Sequence, residues 1–390
     1  MKEWRKQYRK ADRQEKGEIL NEVCRVTKYH RKYAMSVLKQ EGAGEKRRRG
    51  NTYGHNVMMV IEYVWERTGY PWSERLKGLL EHWLPHIRKY LPWVTEDILE
   101  GVRRISARQI DRRLREKKKG LRRRLYGHTK PGSLLRHQIA IRTDNGDIEE
   151  PGYAEIDLVA HCGMNSSGTF CYSLNLTDIH TGWCATRSIL GKDEVTVGRA
   201  LHDLRKELPF PLKAIDSDNG SEFINGHLVR YCKHHEIEFT RSRAYKKDDN
   251  AHIEQKNWTQ VRRVFGYARY DSVPQAALMN QIYAGPLRLM TNLFLPSVKL
   301  IRKERRGSKL YRRYDTPRTP LDRLIAHYGG HNLPEKVKEL VLLRDQIDPF
   351  LLSQEIEKKL SRLAALNRSP KVFEPIGNPS ERRDPHAPVR

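Results

Sequence analysis

The chain has 390 residues and carries 74 Lys and Arg against 48 Asp and Glu, a formal charge of +26. That balance excludes an acidic chaperone or calcium buffer and points to a polyanionic partner, nucleic acid before an anionic membrane surface. Hydrophobic residues make up 38%, enough for packed domains joined by polar, charge-rich segments. No apolar run approaches the ~18 residues of a membrane span, and the basic, aromatic start Met1–Lys10 lacks the apolar stretch of a signal peptide. The five cysteines (Cys24, Cys162, Cys171, Cys184, Cys232) form no C-x-x-C pair. Reduced thiols of a cytoplasmic protein are therefore expected, not a disulfide framework or a cysteine-based zinc site.

From Tyr8 to Gln40, Ile19, Leu20, Val23 and Val26 recur at helical spacing, and Tyr33, Ala34, Val37 and Leu38 do so again. Thr27 is placed to cap the second helix, so residues 1–45 read as a helix-turn-helix module, with an ordinary helical hairpin as the plainer option. A linker with the run Lys46-Arg47-Arg48-Arg49 follows. Residues 51–125 read as a second helical, DNA-binding domain. Its stripes are Val57, Val60, Ile61 and Val64, then Leu76, Leu79, Leu80, Trp83 and Leu84, then a short helix over Thr95–Val102. Ser106 and Gln109 have capping-box spacing at the start of a fourth helix. Arg103–Arg124 holds twelve Lys or Arg in 22 positions against Asp111 and Glu116. A solvated helix face would carry mixed charge, and so one-sided a run repels itself without a polyanion. The Ser106 helix is the choice for a recognition helix in a major groove, with Arg103, Arg104, Arg108, Arg112 and Arg113 as DNA-contact candidates.

The character changes near residue 145. Tyr153–His161, Thr169–Thr177 and Trp183–Leu190 read as strands, with Thr181-Gly182 in a turn. A helix over Asp193–Glu207, a strand Leu212–Ser217, a helix Ser221–His235 and a strand Ile237–Thr240 follow. A polar loop, Arg241–Asn250, then leads to a helix starting near His252. Three hairpin-type strands followed by alternating helix and strand imply a mixed five-stranded α/β sheet with helices on both sides. Further on, Ser297–Pro320 is basic with interleaved Tyr311 and Tyr314 and reads as a small β unit. Glu335–Ala365 is helical by pattern, as a hairpin or an oligomerisation element. The expected architecture is thus multidomain: helical modules at 1–45 and 51–125, an α/β core at 145–270, a basic C-terminal region with a helical segment at 285–370, and a disordered tail at 371–390.

Three acids stand out. Asp157 lies inside the apolar strand Tyr153–Val159, where a carboxylate is costly without compensation. Asp218 ends a strand at an Asn-Gly turn. Glu254 lies in the first turn of the helix after the polar loop. At ~100° per residue, Trp258, Val261 and Phe265 fall within about 40° of Glu254, so it faces the protein, while Lys256 and Arg263 point outward at roughly 180–200°. If the three carboxylates meet, repulsion between two of them at 4 Å is about 4 kcal/mol even at an effective dielectric of 20. Divalent cations resolve that repulsion, and hard oxygen ligands favour Mg²⁺, with Mn²⁺ as substitute. Two such ions suit phosphodiester cleavage or transesterification. Each acid alone has a plain explanation in turn chemistry or the helix dipole; the conjunction carries the reading.

With these residues in view, the chain resembles the retroviral-integrase-type DDE transposases of bacterial insertion sequences. Ser217-Asp218-Asn219-Gly220-Ser221-Glu222-Phe223 is similar to that family's T-D-N-G-x-E-F stretch, with Ser for Thr, and 35 residues separate Asp218 from Glu254, as is common there. The resemblance covers Gly152–Phe265 and, more loosely, the helical N-terminal region. It implies an RNase H-like catalytic core, catalysis and two-metal binding by Asp157, Asp218 and Glu254, double-stranded DNA (element ends and target) as partner, and a homo-oligomer acting on nucleoid DNA. In the family the loop before the Glu adjoins DNA, which makes Tyr245, Lys246, Lys247 and Asn250 contact candidates, joined by Lys256 and Arg263. One departure is the missing zinc module of viral integrases: only Cys24 precedes residue 162. Glu155, on the same strand face as Asp157, is the rival ligand. Asp216 and Glu222 read as supporting residues, Asp178 as turn chemistry, and Asp248 and Asp249 as loop acids. Alternative functions are a nuclease without strand transfer, a non-catalytic DNA-binding regulator and, more distantly, a membrane-surface protein.

Overall fold

The computed structural model describes residues 1–39, 53–120, 148–217, 226–241 and 256–368, in two units, Met1–Gly54 and His55–Arg390. The expected tail at 371–390, the polar loop up to Asn250 and the start of the helix near His252 lie outside the described residues.

The first unit holds three helices: α1 (Lys2–Lys10), α2 (Arg13–Thr27) and α3 (Arg31–Lys39). Tyr8, Leu20, Val23, Ala34 and Leu38 form its core, with Trp4 and Ile19 packed against them. The sequence pattern missed α1, whose Trp4 and Tyr8 are its only strongly apolar contacts. Asp12 opens α2 with a reciprocal capping box to Glu15. Thr27 does not cap α3. It closes α2 instead, donating its hydroxyl to Val23 O at 2.6 Å. Val26 and Tyr33, assigned to the apolar stripes, are 58% and 56% exposed.

The second unit opens with α4 (His55–Arg67), α5 (Ser73–Trp83), a 3₁₀ turn (Leu84–Lys89), α6 (Glu96–Arg104) and α7 (Ala107–Gly120). Half of the expected capping box is present: Gln109 N donates to Ser106 Oγ at 3.3 Å. The Gln109 side chain instead accepts from Arg112. Asp111 fixes α7 on α5 by accepting from Ser73 Oγ at 2.9 Å.

A mixed five-stranded sheet follows, in the order β3-β2-β1-β4-β5. Its strands are β1 (Tyr153–Ala160), β2 (Cys171–Asp178), β3 (Cys184–Leu190), β4 (Ala214–Ser217) and β5 (Glu238–Arg241). The β1–β2 and β2–β3 pairs are antiparallel; β1–β4 and β4–β5 are parallel. Helices α8 (Glu194–Glu207) and α9 (Gly226–His234) supply the crossovers. Asp178 accepts from Gly152 N (2.8 Å), Thr181 N (2.7 Å) and Thr181 Oγ1 (2.6 Å), the turn chemistry expected of it. All five thiols are free.

Alternation sets Ala154, Ile156, Leu174, Leu176, Ala185 and Ile189 on one face of the sheet. Helix α8 covers that face, where Glu207 pairs with Arg187. The opposite face carries Glu155, Ser173, Asn175, Thr177, Thr186, Ser188 and Asp216, all buried, together with Asp157. A second helical layer covers it: a π-helical turn Asn257–Arg262, a short turn Arg263–Phe265, α10 (Val273–Ile282), and π-helical turns at Tyr283–Leu287 and Met290–Phe294. Asn280 and Asn292 from this layer close the open edge of β3. Asn280 accepts from Ser188 N (2.7 Å) and donates to Ser188 O (2.8 Å). Asn292 does the same for Cys184 N (2.9 Å) and O (2.8 Å). Two side-chain amides thus stand where a sixth strand would pair.

Beyond the layer lie a two-stranded ribbon, β6 (Leu300–Arg306) and β7 (Lys309–Tyr314), then α11 (Pro320–His327), α12 (Glu335–Gln346) and α13 (Pro349–Arg368). The continuous helical pattern of Glu335–Ala365 breaks at Ile347, which precedes Asp348-Pro349 and is extended. Among the described residues no helix is long and apolar enough to cross a membrane.

Replacing either edge amide, Asn280→Leu or Asn292→Leu, would strand a buried N–H and C=O pair. The expected cost is about 1–3 kcal/mol, read as a lowered urea midpoint at unchanged m-value.

Candidate active site

Asp157 lies mid-strand on β1 and is half-buried. Its Oδ1 accepts the following backbone amide, Leu158 N, at 2.8 Å. Its Oδ2 accepts from Asn257 Nδ2 at 2.5 Å. Asn257 Oδ1 in turn accepts from Asn175 Nδ2 (2.9 Å), and Asn175 Oδ1 from Thr186 Oγ1 (3.0 Å). A relay of amides therefore runs across three strands and sets the Asp157 carboxylate in one orientation. Asn257 was missed from the sequence. Its signal was weak: a single Asn three residues past Glu254, on a face assigned to neither packing nor DNA.

The rival acid Glu155 is fully buried on the same face, in register with Asp216 on β4. Asp216 accepts from Thr240 Oγ1 at 2.9 Å. Asp157 is the more accessible of the two strand acids. The last described pair of the β1–β4 ladder is Ile156 with Ser217. Asp218, Glu222, Tyr245, Lys246, Lys247, Asp248, Asp249, Asn250 and Glu254 lie outside the described residues.

The outward orientation expected of Lys256 and Arg263 is corrected by the structure. Lys256 is half-buried and donates Nζ to Gly182 O, in the β2–β3 turn, at 3.1 Å. Arg263 turns its guanidinium toward Gly69 in the helical region. Burial holds its pKa below the ordinary arginine value, and the Arg75 guanidinium feels its charge. The physical reason is helix type: residues 257–262 are wound as a π-helix, so a constant ~100° step does not apply. For the same reason Trp258, assigned to the apolar stripe, is 38% exposed, whereas Gln260 is buried and accepts from Thr291 Oγ1 at 2.6 Å. Val261 and Phe265 are buried as expected.

On the helical region, Arg103, Arg104, Arg108 and Arg112 are exposed and Arg113 is half-buried. Arg103 is shared with Glu96 at 2.8 Å, which also holds Arg88 at 2.9 Å, and Arg104 lies 3.8 Å from Glu100. Arg108 and Arg112 project from α7 itself.

His161, just past β1, is buried against the Phe265 and Tyr270 rings. Its Nε2 bonds Ser173 Oγ at 2.8 Å, and that hydroxyl meets Tyr283 Oη at 2.7 Å. Burial, then the charge of Arg262, pushes its pKa down to about 3. The Tyr283 phenol is pushed up by burial, offset in part by Ser173.

Residues 149–247 match the integrase core domain family. A protein of Sinorhizobium fredii (strain NBRC 101917 / NGR234), "Uncharacterized protein y4rM", is 38% identical over 325 residues, covering 81% of this chain and 91% of that protein. The crystal structure of the catalytic core domain of BIV integrase aligns with 46% of this chain and 99% of its own, at 14% identity and a TM-score of 0.31. The five-stranded sheet bearing Asp157 lies within the span that matches the integrase core domain. The chain as a whole belongs to the family of y4rM.

His161 is buried neutral, so its folded pKa lies below the ordinary value near 6.5. The unfolded chain binds the extra proton as pH falls, so this contribution to stability is full above pH 6.5 and is lost between 6.5 and about 3. Across that window the slope for this group approaches about 1.4 kcal/mol per pH unit. His161→Gln is expected to flatten the acid limb of a stability–pH curve measured by urea unfolding.

Proposed function

We propose that the chain is a DDE transposase that cuts DNA at the ends of its own element and joins the freed ends to target DNA. One observation supports this most. The described chain approaches Asp157 from the sequence neighbourhoods of both other acids of the triad. Ser217, one residue before Asp218, ends the strand paired beside Ile156, and Asn257, three residues after Glu254, bonds Asp157 directly. Asp157, Asp218 and Glu254 are therefore assigned to one catalytic centre.

The proposed donor set, three carboxylates with an amide relay behind Asp157, fits hard divalent cations, Mg²⁺ or Mn²⁺. Two such ions, held by Asp157, Asp218 and Glu254, would neutralise the attacked phosphate and activate the oxygen nucleophile. The chain's own residues do the positioning. Asn257 fixes Asp157, and Asn175 fixes Asn257, so the carboxylate need not reorganise as substrate arrives. Arg262, close enough to feel the Asp157 charge, raises the positive potential at the same place. Water attacks phosphorus at the element end and frees a 3′-OH; that hydroxyl then attacks target phosphorus and displaces a 3′-oxygen. No Ser or Tyr nucleophile is required.

The helices of 1–45 and 51–125 are proposed to bind terminal inverted repeats. Helix α7 would lie in a major groove, with Arg108 and Arg112 toward the bases and Arg103, Arg104 and Arg113 toward the backbone. Lys246, Lys247 and Asn250 are proposed contacts near the cut site. Lys256 and Arg263 are better read as holding the second helical layer to its neighbours. Synapsis of two ends calls for a homo-oligomer on DNA.

With a plasmid carrying the native flanking DNA and Mg²⁺ or Mn²⁺, 3′-end cutting and joined products are expected, and both should vanish in Asp157→Asn and Glu254→Gln. Cutting without joining would indicate a nuclease; end binding without chemistry would indicate a regulator. Asn257→Leu should keep the fold and lower the cutting rate about 10–100-fold, a loss that raised Mn²⁺ should partly restore.

A further inference from the structure

The ribbon β6–β7 carries seven Lys or Arg between Leu300 and Tyr314 against one acid, Glu304. Its register sets like charges directly opposite each other: Arg302 with Arg313, Lys303 with Arg312, and Arg306 with Lys309. Opposed like charges destabilise a strand pair, and a lone two-stranded ribbon is marginal in water even without them. Arg302, Arg305 and Arg313 are exposed, as are Ile301 (61%) and Tyr311 (51%). An exposed ion pair, Arg302 with Glu304 at 3.8 Å, offsets little of this repulsion.

The root of the ribbon is the opposite case. Asp315 accepts from Lys299 N at 2.6 Å and from Arg323 Nη1 at 2.5 Å. Arg323, buried, also donates to Ser297 O at 2.8 Å. Ser297 and Arg318 exchange two backbone bonds, and Lys299 Nζ donates to His180 O in the β2–β3 turn. A charged arm is therefore mounted stiffly on the integrase core, with Gly307 at φ 60° making the turn at its tip.

We propose that this ribbon is a DNA arm that lies in the major groove of a duplex held by the core. The proposal rests on the reading of the chain as a DNA-acting enzyme and adds a surface to it. Three features select a groove. Two paired strands match the width of a major groove. Successive residues point to opposite faces, so Arg302 and its cross-strand partner Arg313 share one face while Arg305 takes the other. Charge is thereby presented to the phosphates of both groove walls. A membrane or a flat acidic protein surface would engage one face and leave the other charged in solvent. Exposed Ile301 and Tyr311 supply apolar contact for base edges or sugars.

The test uses the full chain and a variant, Arg302→Gln/Arg305→Gln/Arg313→Gln, with binding to a duplex of the element end followed against NaCl. These side chains are exposed, and circular dichroism with an unchanged urea midpoint controls for folding. The parent log–log slope should become shallower by about 0.9 for each phosphate no longer neutralised, up to ~3 in all. Guanine N7, a major-groove atom, should be shielded from methylation in the parent complex and exposed in the variant complex at matched occupancy. A variant that keeps the parent slope and the parent N7 shielding would overturn the arm alone, with the transposase reading intact. A parent that binds no duplex at all would overturn both.

Discussion

The organising constraint is a sheet whose second face is polar and yet buried. Glu155, Ser173, Asn175, Thr177, Thr186, Ser188 and Asp216 are all removed from water on that face. Each such group costs free energy unless it is hydrogen-bonded. The covering layer, residues 256–294, therefore cannot be a smooth apolar helix. It brings Asn257, Tyr283, Asn280 and Asn292 to face Asp157, Ser173, Ser188 and Cys184. Its three π-helical turns follow, because widened winding changes which side chains reach the sheet. A network of this kind specifies one geometry strongly when every member is paired. That rigidity holds the Asp157 carboxylate, on the same face, in one orientation.

Much of this was legible in the sequence and some was not. The five strands were readable because period-two alternation survives even when one face is polar: Ala154, Ile156 and Leu158 mark the register regardless of what Glu155 and Asp157 touch. Asp157 stood out because its carboxylate interrupts an apolar strand, whereas Asp218 and Glu254 lie outside the described residues. The orientation of Lys256, Trp258 and Arg263 was not readable, because it depends on winding, and no local signal separates a π-turn from an α-turn over 257–262. The edge amides were hidden for a related reason. Asn280 and Asn292 look like ordinary polar positions on helices; only the open edge of β3, fixed by long-range pairing, gives them a task. Helix α1 escaped because its burial uses little more than Trp4 and Tyr8, too few to form a periodic stripe.

The excess positive charge separates into two populations with different physics. One is neutralised locally: Arg323 with Asp315, Arg344 with Asp322, Arg187 with Glu207, and Arg88 and Arg103 sharing Glu96. Apart from Arg103 with Glu96, which lie on the same helix, these pairs link residues of different segments, and the more buried ones hold geometry that exposed pairs would not. The other lies on α7 and on the β6–β7 ribbon, where basic residues outnumber acids even though Lys118 pairs with Asp111, Lys117 with Glu62, and Arg302 lies 3.8 Å from Glu304. Composition alone could not divide the two; register and pairing could. On the proposed reading, the second population gives the net charge of +26 its functional sense, since self-repulsion there would be relieved by a bound polyanion.

How the helical region and the core act as one body within the second unit is answered by α13. Its first turn is held from the helical side: Phe350 is buried among the rings of Tyr63, Trp83 and Tyr90. Asp348 accepts from Tyr90 Oη at 3.1 Å and lies 3.4 Å from Lys89 Nζ. Ser353 Oγ donates to Arg67 O at 3.1 Å. Further along, Leu363 is buried with Phe265, Tyr270 and Met279, in the layer that carries Asn257 and covers the sheet. One helix thus packs at its start on α4 and α5 and near its end on the layer that covers the sheet. The aromatic burial at the first of these junctions is worth several kcal/mol, so the link is rigid, not incidental. The helical region is thereby joined by a short, packed route to the residues that orient Asp157. On the proposed reading, that connection would hold DNA recognition and cutting at a fixed distance, as a flexible linker would not.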